Sequence, residues 1–277
     1  MSPSPSLAGV VGWPVGHSRS PRLHGFWLNE HDVDGAYIRL PVQPGDLERV
    51  LRALPLMGFA GVNLTIPHKE AGFGLVDRVD PVATRIGAVN TIKIEQDGSL
   101  SGSNTDAFGF IENLRDGHSG FDAKRGPAVV LGAGGAARAV VAALIDDGCS
   151  EVRLINRNQE RAEALATHFG AAIVTPAWAE RAEALDGAVL LVNTTSLGMR
   201  GQPPLDLRLD GLPATALVND IVFAPLETEL LAAAKHRGNP VVDGLGMLLH
   251  QGRPGFAAWF GVMPAVTPAL RAWMERP

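Results

Sequence analysis

Short apolar runs alternate with amphipathic stretches along the first part of the chain. Ala8–Pro14 reads as a strand and Pro21–Glu30 as a helix; Ala36–Val42 is a second strand and Asp46–Met57 a second helix. Gly61–Ile66 reads as a third strand, followed by a helix from Lys69 to Asp77. This βαβαβα order implies a mostly parallel sheet with helices on its faces. Ala88–Ile94 and Leu100–Gly102 flank Gln96-Asp97-Gly98-Ser99, a tight-turn sequence that predicts an antiparallel edge.

A second series opens with Ala128–Leu131, an unbroken apolar run typical of a strand buried on both faces. It continues with helix Ala136–Asp146, strand Val152–Asn156, helix Gln159–Phe169 and strand Ala188–Asn193. Strand Ala216–Ile221, helix Leu226–Arg237 and strand Pro240–Val242 complete it, and helical segments Met247–Phe260 and Pro268–Arg276 close the chain. The glycine- and charge-rich stretch Asp116–Gly126 is the natural boundary between the two series.

Composition narrows the function class. The 277 residues suffice for two domains, and 46% apolar content supplies their cores. A net charge of −5, with Lys and Arg dispersed, gives no basic footprint for nucleic acid. No apolar run is long enough for a membrane span, and the N-terminus lacks a signal core. Cys149 is the only cysteine, which excludes an intrachain disulfide and a multi-cysteine metal site. His17, His24, His31 and His68 lack metal-ligand spacing and read as helix-surface or loop residues. The expectation is a soluble cytoplasmic protein without a metal.

Gly132-Ala133-Gly134-Gly135-Ala136 stands at a strand-to-helix junction. Such a turn lets backbone N–H groups approach a pyrophosphate, although a plain connecting turn has the same composition. The end of the next strand is more informative. An NAD enzyme carries a carboxylate there, about 20 residues on, for the ribose 2′-hydroxyl. This chain has Asn156-Arg157-Asn158 with Arg161 one turn later, and guanidinium groups suit a 2′-phosphate. The combination points to NADP.

Polar residues gather where strands of the first series end. In Ser18-Arg19-Ser20-Pro21, Ser20 reads equally as an N-cap or, with Ser18, as a carboxylate site. Asn63 and Thr65 alternate with apolar neighbours, and Lys69 sits at a helix start, where the helix dipole disfavours a cation. Asn90-Thr91 and Asn104-Thr105-Asp106 follow, the latter also able to cap a helix. Together they offer hydroxyl-reading groups and a Lys–Asp pair able to move a proton. Met199 and Met247 fit a nicotinamide face or ordinary core equally.

In order along nearly the whole chain, these pieces resemble the shikimate dehydrogenase family: Gly-His-Ser-Arg-Ser-Pro at 16–21, Asn-Leu-Thr-Ile-Pro-His-Lys at 63–69, Gly-Ala-Val-Asn-Thr at 87–91 and Asn-Thr-Asp at 104–106. Gly-Ala-Gly-Gly-Ala at 132–136, Asn-Arg-Asn at 156–158, Asn193 to Met199, Pro225-Leu226-Glu227-Thr228 and Asp243 to Met247 with Gln251 continue the match. The resemblance implies a two-domain α/β fold: a substrate domain over residues 1–106, an NADP-binding Rossmann domain over 107–244, and helices over 245–277 that return to the substrate domain, with the active site in the cleft between.

It implies NADP-dependent reduction of 3-dehydroshikimate to shikimate, on the route to chorismate and the aromatic amino acids. Lys69 is then the acid/base, with Asp106 beside it. Ser18 and Ser20 hold the substrate carboxylate, while Thr65, Asn90, Asp106 and Gln251 contact ring hydroxyls. Gly132 to Ala136 bind the pyrophosphate, Asn156, Arg157, Asn158 and Arg161 the adenosine phosphate, and Ile221 and Gly244 lie near the nicotinamide. Two positions depart from the family pattern. Asn158 replaces the usual threonine, and Phe223 the usual substrate-facing tyrosine; the only tyrosine is Tyr37. A quinate or dual quinate/shikimate dehydrogenase is the nearest rival, and a non-catalytic NADP-binding sensor the rival of another class. A homodimer stays open.

Overall fold

The computed structural model describes residues 6–276. The chain divides into two compact units, Met1–Asp106 with Leu248–Pro277, and Ala107–Met247.

In the first unit, β1 (Ser6–Gly12) pairs in parallel with β2 (Gly35–Pro41) and with β3 (Phe59–Leu64). Helices α1 (Ser20–Glu30) and α2 (Leu47–Ala53) make the crossovers, α2 flanked by single 3-10 turns that absorb the rest of the predicted helix. Helix α3 (Lys69–Phe73) is shorter than expected, because Gly72 and Gly74 weaken its continuation. Two elements absent from the pattern follow, β4 (Arg78–Val79) and α4 (Pro81–Ile86). The short helix is set locally: the Asp80 side chain accepts from the Ala83 N–H at 2.6 Å, Pro81 starts it, and Gly87 ends it at φ +71°. The hairpin β5 (Thr91–Ile94) and β6 (Leu100–Ser103) pairs antiparallel with β3. The strand order is β2-β1-β3-β5-β6-β4, mostly parallel on one side and antiparallel within the hairpin.

Helix α5 (Asp106–Gly117) begins on the last residue of this segment and carries the chain onward. The change of unit therefore falls at Asp106 and not in Asp116–Gly126. Phe110 and Leu114 explain this: both are fully buried in the core of the second unit.

The second unit is a doubly wound parallel sheet. β7 (Ala128–Leu131), β8 (Val152–Ile155), β9 (Ile173–Val174), β10 (Leu190–Asn193), β11 (Leu217–Asp220) and β12 (Val241–Val242) lie in the order β12-β11-β10-β7-β8-β9. Helices α6 (Gly135–Asp146), α7 (Gln159–Phe169) and α8 (Glu229–His236) connect them. Successive β7 residues feed opposite faces, Ala128 and Val130 into one core and Val129 and Leu131 into the other. That double burial is why the strand reads as a continuous apolar run. The last helices are α9 (Leu245–Phe260) and α10 (Pro268–Glu275), in the first unit from Leu248 on. Among the described residues no helix is long and apolar enough to cross a membrane.

Candidate active site

The carboxyl ends of the first unit's strands converge on a buried hydrogen-bond network. Lys69 Nζ donates to Asp106 Oδ2 at 2.5 Å, with the side chains 17% and 6% exposed. The other carboxylate oxygen, Oδ1, accepts from Asn90 Nδ2 at 2.9 Å. Asn90 in turn is held on its carbonyl side by Thr105 N–H at 2.9 Å and the Thr91 hydroxyl at 2.9 Å. Asn104 closes the turn, its Oδ1 accepting from Asp106 N–H at 3.0 Å. Gln251 on α9 reaches the same amide, Oε1 lying 3.4 Å from Asn90 Nδ2. Lys69, Asn90, Asp106 and Gln251 are thus brought together from three helices and the loop before β5.

The network extends further than the sequence suggested. Asn63 Nδ2 donates to the Asn90 carbonyl and to Thr91 Oγ1, both at 3.0 Å. Asn63 Oδ1 accepts from the Tyr37 hydroxyl at 2.6 Å. The same phenol hydrogen-bonds Ser20, and its burial pushes the pKa well above the usual value, so it remains a protonated donor. Ser18 Oγ lies 3.2 Å from Ser20 Oγ. A polar chain therefore runs from Ser18 through Ser20, Tyr37, Asn63, Asn90 and Asp106 to Lys69. Tyr37 had no motif to mark it; its only signal was being the sole tyrosine, at an inward position of a strand.

Several local expectations are corrected. Ser20 is the first residue of α1 rather than its N-cap; Arg19 holds the cap position and makes no side-chain capping bond. Ser18 Oγ instead accepts from Ser20 N–H at 3.3 Å. β3 ends at Leu64, so Thr65 lies just outside the ladder, its methyl tightly against Gly12. His24 is buried and not on the helix surface, while His68 lies in the loop before α3 and is buried there. Helical spacing puts His24 on the same face as Leu23, Trp27 and Leu28, where it stacks on Tyr37 at 4.0 Å. His68 has Nε2 2.8 Å from the Val42 carbonyl. Among the described residues no cluster of His, Cys, Asp and Glu suits a metal ion.

The second unit holds the glycine turn. Gly132 has φ +109°, and a Cβ there would lie 2.5 Å from Thr194 Oγ1, so glycine is required on both counts. Gly134 is the N-cap of α6 and makes no side-chain bond, which leaves that helix start to backbone N–H groups with no acidic residue in the first turn. This is an anion-binding arrangement, and Gly134 faces open space. Ala133 lies buried beneath it, while Gly135 and Ala136 begin the helix. At the end of β8, Asn158 caps α7, its Oδ1 accepting from Arg161 N–H at 3.0 Å, and Asn156 Nδ2 donates to the Asn158 carbonyl at 2.8 Å. Arg157 and Arg161 are exposed beside this turn, and no carboxylate occupies it. These residues fit a dinucleotide with a 2′-phosphate. Ile221 and Gly244 are in backbone contact, since a Cβ on Gly244 would lie 2.3 Å from the Ile221 carbonyl oxygen. Phe223 is half-buried in the segment after β11.

Comparison with known proteins gives a consistent result. Residues 10–92 match the shikimate dehydrogenase substrate binding domain, and residues 117–197 match the shikimate / quinate 5-dehydrogenase family. A shikimate dehydrogenase (NADP(+)) of Paramagnetospirillum magneticum is 62% identical over 99% of each chain. One from Rhodospirillum rubrum is 62% identical over 96% of this chain and 95% of that one. The solved shikimate 5-dehydrogenase of Thermus thermophilus, in complex with NADP(H) and shikimate, is 40% identical with a TM-score of 0.85, covering 98% of this chain and 97% of that one. A quinate dehydrogenase of Corynebacterium glutamicum in complex with NAD is 31% identical with a TM-score of 0.89, covering 98% of each chain.

Proposed function

The chain belongs to the shikimate dehydrogenase family, and we propose that it catalyses the NADP-dependent, reversible reduction of 3-dehydroshikimate to shikimate. The observation that carries the reading is the Lys69–Asp106 pair, buried and held from its far side by Asn90. Relatives named for NADP at 62% identity favour this activity over a quinate dehydrogenase.

Bound NADPH supplies a hydride to the ketone carbon. The protein's share is orientation and one proton. An ammonium has three donors; Lys69 spends one on Asp106, which leaves others to polarise the ketone oxygen and then protonate it as it becomes a hydroxyl. Asp106 cannot swing away, because both carboxylate oxygens are engaged. It fixes the Lys69 nitrogen and accepts from a neighbouring ring hydroxyl.

Asn90, Thr65 and Gln251 read the remaining hydroxyls, with Ser18 and Ser20 on the carboxylate. In the second unit, Gly132 to Ala136 carry the pyrophosphate, Asn156, Arg157, Asn158 and Arg161 the adenosine 2′-phosphate, and Ile221 and Gly244 the nicotinamide side. Phe223 occupies the place of a hydroxyl-bearing residue and offers only a ring face. The direct test is NADPH formation from shikimate and NADP+ by the purified protein, with Lys69→Ala as the control that abolishes it. Equal rates in the two proteins exclude the proposed proton donor.

A further inference from the structure

The second unit's strand order reverses at β7, and open α/β sheets place ligands beyond the carboxyl ends of the strands at such a point. With the glycine turn after β7 for the pyrophosphate and the arginines after β8 for the adenosine phosphate, the other half of a dinucleotide must run over β10 and β11. The last residues of those strands are Asn193 and Asp220, both without exposed surface.

The Asp220 carboxylate makes three hydrogen bonds. Oδ1 accepts from Asn193 Nδ2 at 3.0 Å and from the Val222 N–H at 3.0 Å, while Oδ2 accepts from the Thr228 hydroxyl at 2.7 Å. All three donors are neutral, and no Lys or Arg pairs with it among the described residues. Burial outweighs these bonds and pushes its pKa up to about 6. Such a group is costly to keep, so its bonding pattern calls for a reason.

That pattern joins two connections, the turn after β10 and the segment between β11 and α8. Asn193 Oδ1 accepts from the Thr195 N–H and hydroxyl at 3.0 and 2.7 Å, and its Nδ2 also donates to the Leu197 carbonyl at 3.1 Å, which fixes the turn after β10. The Ile221 N–H donates to the Asn193 carbonyl at 3.1 Å, and Gly244 packs against the Ile221 carbonyl. Capping α8 needs Thr228 alone, whose Oγ1 accepts from the Leu231 N–H at 3.3 Å. The carboxylate's other two bonds go to residues at the carboxyl ends of β10 and β11, beyond which open sheets of this kind place ligands.

We propose that Asp220 is a positioning residue for the nicotinamide half of the cofactor, gathering Asn193, Val222 and Thr228 into the loop surface on which that half rests. The inference builds on the reading of the chain as an NADP enzyme. It is tested on the full chain by comparing kcat/KM for NADP+, at saturating shikimate, with the Kd for adenosine 2′,5′-bisphosphate, which has the adenosine phosphates and no nicotinamide. Asp220→Asn is expected to lower kcat/KM for NADP+ by about tenfold to a hundredfold, the effect of one lost bond to a charged group, with bisphosphate binding unchanged within about twofold. Thr228→Val, a milder change should Asp220→Asn fold poorly, is expected to act in the same direction by about threefold. Equal weakening toward both ligands, or an unchanged kcat/KM, overturns the proposal. A wild-type protein that binds neither NADP+ nor the bisphosphate overturns instead the cofactor reading, and this inference with it.

Discussion

Lys69 and Asp106 stand 37 residues apart in sequence and 2.5 Å apart in space, one at the start of α3 and the other at the start of α5. The pair sits at the end of a continuous chain of buried polar groups, so the proton-bearing nitrogen has one position relative to the strand ends that surround it. Buried pairs of this kind add little stability and are expensive to break singly. Function is the simpler reason for their placement.

Replacing Lys69 with Ala is expected to lower kcat by about two to four orders of magnitude, the usual contribution of an acid/base group. Substrate binding should change far less, because the proton moves in the transition state. The loss leaves Asp106 without its cation, so a lower melting temperature is expected as well. Steady-state kinetics on folded protein, checked by thermal melt, decides the matter; near-normal kcat rules out Lys69 as the proton donor.

Cofactor choice should depend on Arg157. Arg157→Leu is expected to weaken NADP+ binding by about tenfold or more, since a charge-assisted bond to phosphate contributes roughly 1.5–3 kcal/mol. NAD+ kinetics should barely move. Equal losses for both cofactors in the same assay contradict the assignment to the 2′-phosphate.

The parts of this picture that were legible in the sequence are those encoded locally. The apolar run Ala128–Leu131 reads as a strand buried on both faces, and the glycines after it mark a tight turn where the Gly132 backbone requires glycine. Lys69, Asn90 and Asp106 stand out because polar residues collect where strands end, whereas Gln251, on α9, is marked only by the family resemblance. The role of Tyr37 was illegible because it depends on pairing β2 with β1 and β1 with β3, which brings the phenol to Asn63 across 26 residues. His24 was misjudged since a histidine on an amphipathic helix suits either face until the packing partners are known. Nothing local in the sequence marks Asp220; only the three-dimensional contacts with Asn193, Val222 and Thr228 reveal a buried hub.

The family resemblance implies a tyrosine at the position of Phe223. Phe223→Tyr is expected to lower the KM for shikimate by about fivefold, equivalent to roughly 1 kcal/mol from a phenol reaching a carboxylate and partly replacing existing bonds. The KM for NADP+ should stay the same. An unchanged or higher KM for shikimate places the ring away from the substrate.

His24 should shape the acid stability of the protein. It is fully buried among Tyr37, Trp27 and Phe256, with neither ring nitrogen hydrogen-bonded, and burial lowers its pKa from 6.5 to about 3. The unfolded chain takes up a proton below pH 6.5 that the folded one refuses until about pH 3, so the unfolded state binds more protons in that window. The contribution is complete above the unfolded pKa and is lost as pH falls through it, at up to about 1.4 kcal/mol per pH unit. His24→Phe, which keeps the ring packing, should flatten the unfolding free energy between about pH 6 and pH 4 relative to wild type. Denaturant titrations at several pH values measure this; parallel curves for the two proteins mean that His24 is protonated in the folded state or sits in contact with water.

Shikimate and quinate, each with NADP+ and NAD+, form a matrix of four kcat/KM values on the unmodified protein that separates a shikimate enzyme using NADP from its rivals. Shikimate with NADP+ is expected to exceed every other combination by about tenfold or more, the discrimination that one charge-assisted phosphate contact supplies. Quinate as the better acid, or NAD+ as the better cofactor, contradicts the proposed activity.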